Sequence, residues 1–198
     1  MKKVIIAMLI VLMVPACIFA GRGLFDFTIG ATAETTYKVE DVQKAISGEE
    51  EFKFSMENVG FGAETELKLA FLAINGKAVF APAQKTVSGV VSGNLALDIL
   101  FIRIKAGLGY EYSYDFESKE MKYGNGAGCV SSFDEFKKAQ FDACLGVDFL
   151  LGNLTIGAHA SLPTNVSIEQ NNWSELVSSI QDNWQYAKLG VSVGYSLL

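Results

Sequence analysis

The sequence FIRIKAGLGYEYSYDF, residues 101–116, alternates between two kinds of side chain. One set of alternate positions is apolar and ends in tyrosines: Ile102, Ile104, Ala106, Leu108, Tyr110, Tyr112 and Tyr114. The positions between them are small, polar or charged: Arg103, Lys105, Gly107, Gly109, Glu111 and Ser113. Because successive side chains of a β-strand point to opposite faces, the alternation predicts one long strand.

The length of this strand favours a membrane-spanning role. A strand of a soluble protein usually has about five or six residues, whereas a tilted strand needs roughly 9–11 residues to cross a bilayer. Aromatic side chains gather where such a strand leaves the hydrocarbon, and the tyrosines stand together at one end. The strand is therefore predicted to turn its apolar face to lipid. A long strand of a soluble barrel is the alternative.

Composition limits the class of protein. The chain has 198 residues, enough for one domain, with 50% hydrophobic and only 19% charged residues, against roughly 25% charged residues in a typical soluble domain. The net charge is −6, and no basic patch is interleaved with aromatics, so nucleic acid is not an expected partner. The sequence contains no nucleotide-binding, nucleophile or metal-ligand motif. We therefore predict a non-enzymatic protein without a cofactor.

Residues 1–20 have the pattern of a cleaved export signal. Lys2 and Lys3 precede an apolar core, Val4–Val14, and cleavage is expected after Ala20. Lipidation at Cys17, within Val14–Cys17, is the alternative. Residues 21–198 are predicted to form one domain with no membrane helix. A mature chain placed in a membrane must then be a closed barrel, because open sheet edges are not satisfied in lipid.

Seven further strands are predicted from alternation and turn signals: Leu24–Ala33, Val59–Leu72, Lys77–Ala81, Thr86–Leu100, Ala139–Leu150, Leu154–Leu162 and Trp184–Leu198. Asn75-Gly76 is a hairpin signal. Long polar segments connect strands 1–2, 5–6 and 7–8, whereas the other connections are short. The predicted fold is all-β, an eight-stranded antiparallel up-and-down transmembrane β-barrel with long loops at one end.

Each long loop carries a signal for a short helix. The segment Glu34–Lys53 has helical spacing at Val39, Val42 and Ile46. The segment Glu117–Lys138 contains a capping-box spacing from Ser132 to Glu135. The third loop carries an apolar stripe predicted to pack on the barrel rim or to bind a partner: Trp173, Leu176, Val177 and Ile180.

This layout resembles the small eight-stranded outer-membrane barrels of diderm bacteria, which include the OmpA membrane domain, OmpX and OmpW. The resemblance implies a monomer in the outer membrane, inserted by the barrel assembly machinery. For OmpA and OmpX relatives it implies a surface or structural barrel that displays loops outward to a surface ligand. For OmpW relatives it implies a porin-like narrow channel or uptake route for small, hydrophobic molecules. The outward series here ends at Tyr195 and Leu197, one residue before Leu198, where such barrels usually end on an aromatic residue.

A soluble lipocalin-like carrier is the third candidate. It would place the apolar stripes inside the barrel, and the Gly-x-Trp usual near the start of such carriers is absent.

Charged residues on the inward set of positions form the main candidate site. The list is Asp26, Glu64, Glu66, Lys68, Asp98, Arg103, Lys105, Glu111, Asp142, Asp148 and Lys188. An eight-stranded barrel is barely wide enough for its side chains, and buried charges need partners. We therefore predict an ion-pair network that closes the lumen, with a narrow polar path as the alternative. His159 is expected to be a lumen residue and not a catalytic base.

Two further predictions concern aromatic and cysteine residues. Aromatic girdles are expected at the loop end (Tyr110, Tyr112, Tyr114, Trp184, Tyr186) and at the turn end (Phe25, Phe71, Phe149, Tyr195). Cys144 points inward, and Cys129 follows a glycine-rich run, so a disulfide between them is possible in an oxidising compartment. Two free thiols are the alternative.

Overall fold

The computed structural model describes residues 23–35, Lys44, Ser47 and residues 55–198. The expected signal at residues 1–20, including Cys17, lies outside these ranges, as do Val39, Val42 and Ile46. Among the described residues, none of the helices has the length and apolarity needed to span a bilayer.

Eight antiparallel strands of the described chain close into a barrel, as the sequence predicts. The eight are β1 (Phe25–Thr35), β2 (Val59–Leu69), β3 (Leu72–Ala81), β4 (Thr86–Ile99), β5 (Ile102–Asp115), β7 (Gln140–Leu151), β8 (Leu154–Ser167) and β9 (Lys188–Ser196). Each strand pairs with the next one in this order, and β9 pairs with β1 to close the wall. A short additional strand, β6 (Glu120–Tyr123), folds back on the loop end of β5.

The stagger of the strands fixes the dimensions of the barrel. Following paired residues around the wall leads from Phe25 through Leu69, Leu72, Leu95, Ala106, Leu145, Ala160 and Leu189 to Thr35, ten residues further along β1. With ~3.3 Å per residue and ~4.8 Å between strands, this stagger corresponds to a strand tilt of about 40° and a backbone radius of about 8 Å. Such a lumen holds side chains and little else.

The tight turns lie at one end, and one of them differs from its predicted position. They fall at Ala70-Phe71, Leu100-Phe101 and Gly152-Asn153, each with a positive φ at the first residue. The predicted hairpin at Asn75-Gly76 is wrong, because both residues lie inside β3, opposite Glu66 and Thr65. A turn there would leave β3 too short to pair with β2 and β4 along their length. Backbone N–H and C=O groups of the neighbouring strands would then lack hydrogen-bond partners.

The loop end carries short helices. The turn Phe133–Lys138 is capped by Ser132, whose Oγ accepts a hydrogen bond from the backbone N–H of Asp134. The helix α1 (Leu176–Asn183) holds most of the predicted apolar stripe, and Trp173 lies in the turn before it. Several strand limits differ from prediction, among them the end of β1, which reaches Thr35. Strand β8 continues past Pro163 to Ser167, and β9 begins at Lys188 because Trp184–Tyr186 form a helical turn.

The two faces of the wall have opposite character. Outward side chains are apolar and exposed, for example Leu69 at 62%, Ile74 at 61% and Val191 at 61%. Inward side chains are polar and buried, for example Arg103 at 1% and Lys68 at 0%. A soluble carrier needs the reverse arrangement, with an apolar interior. This is not the orientation that the lipocalin-like candidate predicts.

The predicted girdle residues fall at the two ends of the outward face. At the turn end Phe25, Phe149 and Tyr195 are exposed. At the loop end Trp184 and Tyr186 are exposed, whereas Tyr110 and Tyr114 of β5 are partly covered by other aromatic rings. Tyr110, for example, lies 4.4 Å from Phe136 and 4.2 Å from Phe141, measured between ring centroids.

Candidate functional site

The centre of the lumen site is Arg103, which enters from the turn end of β5. Its guanidinium donates to Asp26 of β1, Glu66 of β2 and Asp98 of β4, each at 2.7 Å. The side chain is 1% exposed. A guanidinium carries five N–H donors in a planar fork, so it can bind three carboxylates at once. One residue thus joins four strands.

Two lysines extend the Arg103 group. The Nζ atom of Lys68 lies 3.0 Å from Oδ2 of Asp98, and both side chains are fully buried. Lys105 lies 2.8 Å from both Glu66 and Asp148. The connected set, called here the turn-end cluster, contains Asp26, Glu66, Lys68, Asp98, Arg103, Lys105 and Asp148. Every charge in it has an opposite neighbour, which offsets the cost of burying ions.

A second group lies nearer the middle of the lumen. Glu34 of β1 forms an ion pair with Lys77 of β3 and lies 3.1 Å from His159 Nε2. Sequence reasoning missed two of these residues. Glu34 was assigned to the polar loop, and Lys77 was placed just after the wrong turn. The signal for Glu34 was present, because the inward series Thr28, Gly30, Thr32 continues to it.

A small cavity lies at mid-height in the lumen, between the turn-end cluster and the group formed by Glu34, Lys77 and His159. Its volume is about 40 Å³, and Glu64, Lys105 and His159 are among the residues that line it. This is room for about one water molecule. The lumen is therefore narrow at mid-height and filled by charged side chains below it.

The mouth of the barrel is crossed by one more ion pair. Lys188 of β9 binds Glu111 of β5, and Ser161 donates to Asp142 at 2.9 Å below the same opening. On one side of the Glu111–Lys188 pair lies a cavity of about 660 Å³, bounded by Asp142 and by the loop 124–127. A smaller recess of about 220 Å³ lies on the other side. In the part of the chain that the structure describes, the barrel is thus a cup, open at the loop end and filled at the turn end.

The loop between β5 and β6 is fixed by its own polar groups. Asp115 accepts hydrogen bonds from the backbone N–H groups of Glu117 and Ser118, at 2.8 and 3.2 Å. These two bonds stabilise the charged carboxylate and so lower the pKa of Asp115.

The predicted disulfide is not formed, since Cys129 and Cys144 are both free thiols. The backbone N–H of Gln140 donates to the carbonyl of Gly128, which places Cys129 beside the top of β7. Cys144 lies four residues further down the same strand, a distance of about 13 Å. A disulfide needs its two Cα atoms within ~7 Å of each other.

Among the described residues, no group of three or more histidine, cysteine or acidic side chains has a geometry suited to a metal ion. Comparison of the chain with protein-family models, curated proteins and solved structures found no match. What the site offers is an ordered set of ion pairs that tie opposite walls together.

Proposed function

We propose that this protein is an outer-membrane β-barrel with a structural and surface-display role and no enzymatic activity. The observation that supports it best is the partition of side chains, with an apolar outer wall and a charged, buried interior. On β5 the outward series from Ile102 to Tyr112 covers ten residue steps. At a tilt of about 40° this is about 25 Å along the barrel axis, the height of the apolar band of such barrels.

The filled lumen favours a structural barrel over a channel. The turn-end cluster occupies the cross-section with seven charged side chains from five strands, and Arg103 is held by carboxylates on three of them. An ion that entered from the loop end would have to break buried ion pairs to pass. The narrow channel, the runner-up function, requires the opposite arrangement, with a continuous water column.

Location and assembly belong to the same proposal. A cleaved signal at residues 1–20 would export the chain, the barrel assembly machinery would insert it as a monomer, and the loops would face the outside. The loop-end cavity beside the Glu111–Lys188 pair, as the described residues bound it, would be available to a surface ligand.

Electrophoresis and cell fractionation test this proposal together. Unheated protein from detergent extracts is expected to run faster than boiled protein, because the closed barrel stays folded in detergent. After expression in a diderm bacterium, the chain is expected in the outer-membrane fraction. Recovery of folded protein in the soluble periplasmic fraction would overturn the proposal.

A further inference from the structure

Helix α1 lies against the outside of the barrel, near its loop end. Ile180 packs on a cluster of outward residues: Ala143 of β7, Leu162 of β8 and Ala187, which directly precedes β9. Ser179 is buried, and its Oγ accepts a hydrogen bond from the backbone N–H of Asn165 at 2.5 Å. These contacts fix the side of the helix that faces the wall.

The same contacts fix which flank of α1 points toward the apolar band. Asn165 lies three residues nearer the loop end of β8 than Leu162, so Ser179 faces the loop end and Ile180 the turn end. Residues of a helix are separated by about 100° of rotation, so Val177 lies about 60° beyond Ile180, on the side away from Ser179. The opposite flank carries Asp182, about 60° beyond Ser179.

The two flanks of α1 are both exposed but differ in polarity, one being apolar and the other charged. Val177 is 68% exposed, and the tryptophans at either end of the helix, Trp173 and Trp184, are 43% and 41% exposed. Asp182 is also exposed. An apolar flank turned toward the barrel's apolar band, with a carboxylate on the other flank, is the pattern of a helix at a boundary between hydrocarbon and water.

The height of α1 agrees with such a boundary. On β7, Ala143 lies six residues above Phe149 of the turn-end girdle, roughly 15 Å along the barrel axis. Trp173 contacts Phe141, one outward position higher, with 5.3 Å between ring centroids. In an apolar band of about 25 Å, this level is just inside the upper edge, where aromatic residues gather.

A neighbouring turn continues the aromatic surface. Phe136 packs on Tyr110 and on Phe133, and Phe133 is 71% exposed. The surface therefore runs from β5 to β9 at one level on the outside of the barrel.

We infer that α1, with Trp173 and Trp184, is an interfacial anchor that lies in the outer leaflet at the boundary between acyl chains and headgroups. Its partner is the lipid bilayer. Val177 and the two tryptophans contact the upper acyl chains, and Asp182 contacts water. The anchor sets the depth of the barrel on one side. This inference rests on the proposed membrane location.

The two native tryptophans allow a direct test. Trp184→Phe leaves Trp173 as the only tryptophan, and Trp173→Phe leaves Trp184. Each variant is folded into vesicles of phosphatidylcholine brominated either near the carbonyl end or near the methyl end of the acyl chain. The expected result is strong quenching of both tryptophans by the carbonyl-end bromines and weak quenching by the methyl-end bromines and by aqueous iodide. Strong quenching by iodide with none from either lipid would overturn the inference.

A third variant separates failure of the anchor from failure of the membrane proposal. In a chain with both tryptophans replaced by phenylalanine, Leu145→Trp places a probe on the outward face of β7, below α1. If this probe is quenched by methyl-end bromines while Trp173 and Trp184 respond only to iodide, the barrel is in lipid and the anchor is wrong. If no tryptophan is quenched by lipid, the membrane proposal itself fails.

A matched pair of charge substitutions tests the orientation of the helix. Val177→Asp is expected to reduce lipid quenching of both tryptophans, because it places a carboxylate on the flank toward the acyl chains. Ser178→Asp, on the neighbouring position that points away from that flank, is expected to leave quenching unchanged. Equal effects from both substitutions would overturn the assigned orientation.

Discussion

Asp26 and Arg103 lie on strands β1 and β5, four places apart in either direction around the barrel, and their side chains meet at 2.7 Å. The bond therefore crosses the full width of the lumen. It is buried at both ends, so removal of one group leaves the other buried without this ion-pair partner. This relationship makes the turn-end cluster the first place to test the closed-barrel proposal.

We predict that Arg103→Ala lowers the free energy of unfolding by about 3–5 kcal/mol, because it leaves three buried carboxylates without their shared cation. The measurement is urea unfolding of barrels folded in lipid vesicles. Lys85→Ala is the control, since Lys85 pairs with Glu117 at the exposed loop end, where an ion pair contributes about 0–1 kcal/mol. Similar losses for the two variants would contradict the assigned role of Arg103.

The same substitution has an expected electrical effect. Single-channel recording in planar bilayers is expected to show at most brief, small openings for the parent, because ion pairs fill the turn end. Arg103→Ala is expected to raise the conductance, since water can enter the vacated volume. Steady, large currents from the parent would contradict the structural role and support the narrow channel instead.

The outward face of β7 supplies a test of lipid contact. Leu145 is half exposed and lies near mid-strand. Leu145→Arg is predicted to destabilise the barrel in bilayers by about 2–4 kcal/mol, the cost of arginine at the bilayer midplane. Glu120→Arg, on the exposed β6 hairpin, is the control and is expected to cost little. A Leu145→Arg protein as stable as its parent would show that this face does not meet hydrocarbon.

Two glycines on neighbouring strands test the corrected turn. A methyl group added at Gly76 would meet only Thr65 Cγ2, at 3.8 Å, whereas one added at Gly62 would clash with the carbonyl of Ala78. We predict that Gly76→Ala is neutral or stabilising by about 0.5–1 kcal/mol, as for a glycine within a strand. Gly62→Ala is predicted to destabilise. If Gly76→Ala greatly lowered the free energy of unfolding, that result would favour the hairpin turn at Asn75-Gly76 over the continuous strand.

Labelling of the two free thiols tests which end of the barrel faces the outside of the cell. Cys129 is exposed at the loop end, and Cys144 faces the lumen. In intact cells a membrane-impermeant maleimide is expected to label Cys129, and Cys129→Ser is expected to abolish the labelling. Cys144 is expected to react only after unfolding. Labelling of Cys129 only after cell lysis would place the loops on the inner side.

Alternation was sufficient to predict the barrel, because a residue's face depends only on its parity along a strand. It also assigned the inward charges such as Arg103 and Asp26. It does not determine where a strand ends. Asn75-Gly76 satisfied a local rule for turns, yet pairing along β3 outweighed it, and Lys77 was separated from its partners as a result. Glu34 also lies near a strand end, and a polar residue at that position is typical of a loop as well as of an inward-facing strand position.

The partners of each charge were less predictable. Lys68 lies opposite Asp26 in the register of β1 and β2, one residue from the turn end, yet its ion-pair partner is Asp98 of β4. The cross-lumen contacts depend on the stagger of ten residues, which is a property of the closed sheet and of no single strand. The free state of Cys129 likewise depends on where its loop meets β7.

The pairing of β1 with β9 has a consequence for the route by which the chain folds. The contact between Ser196 and Asp26 joins residues separated by 170 positions in the sequence. Contacts of this separation form late, because the chain between them must be ordered first. Until β9 arrives, β1 exposes a row of unpaired backbone N–H and C=O groups that other chains can bind. Closure of the barrel is therefore expected as a single late step of folding. A chaperone that covers the free edge of β1 until that step would protect the chain from aggregation.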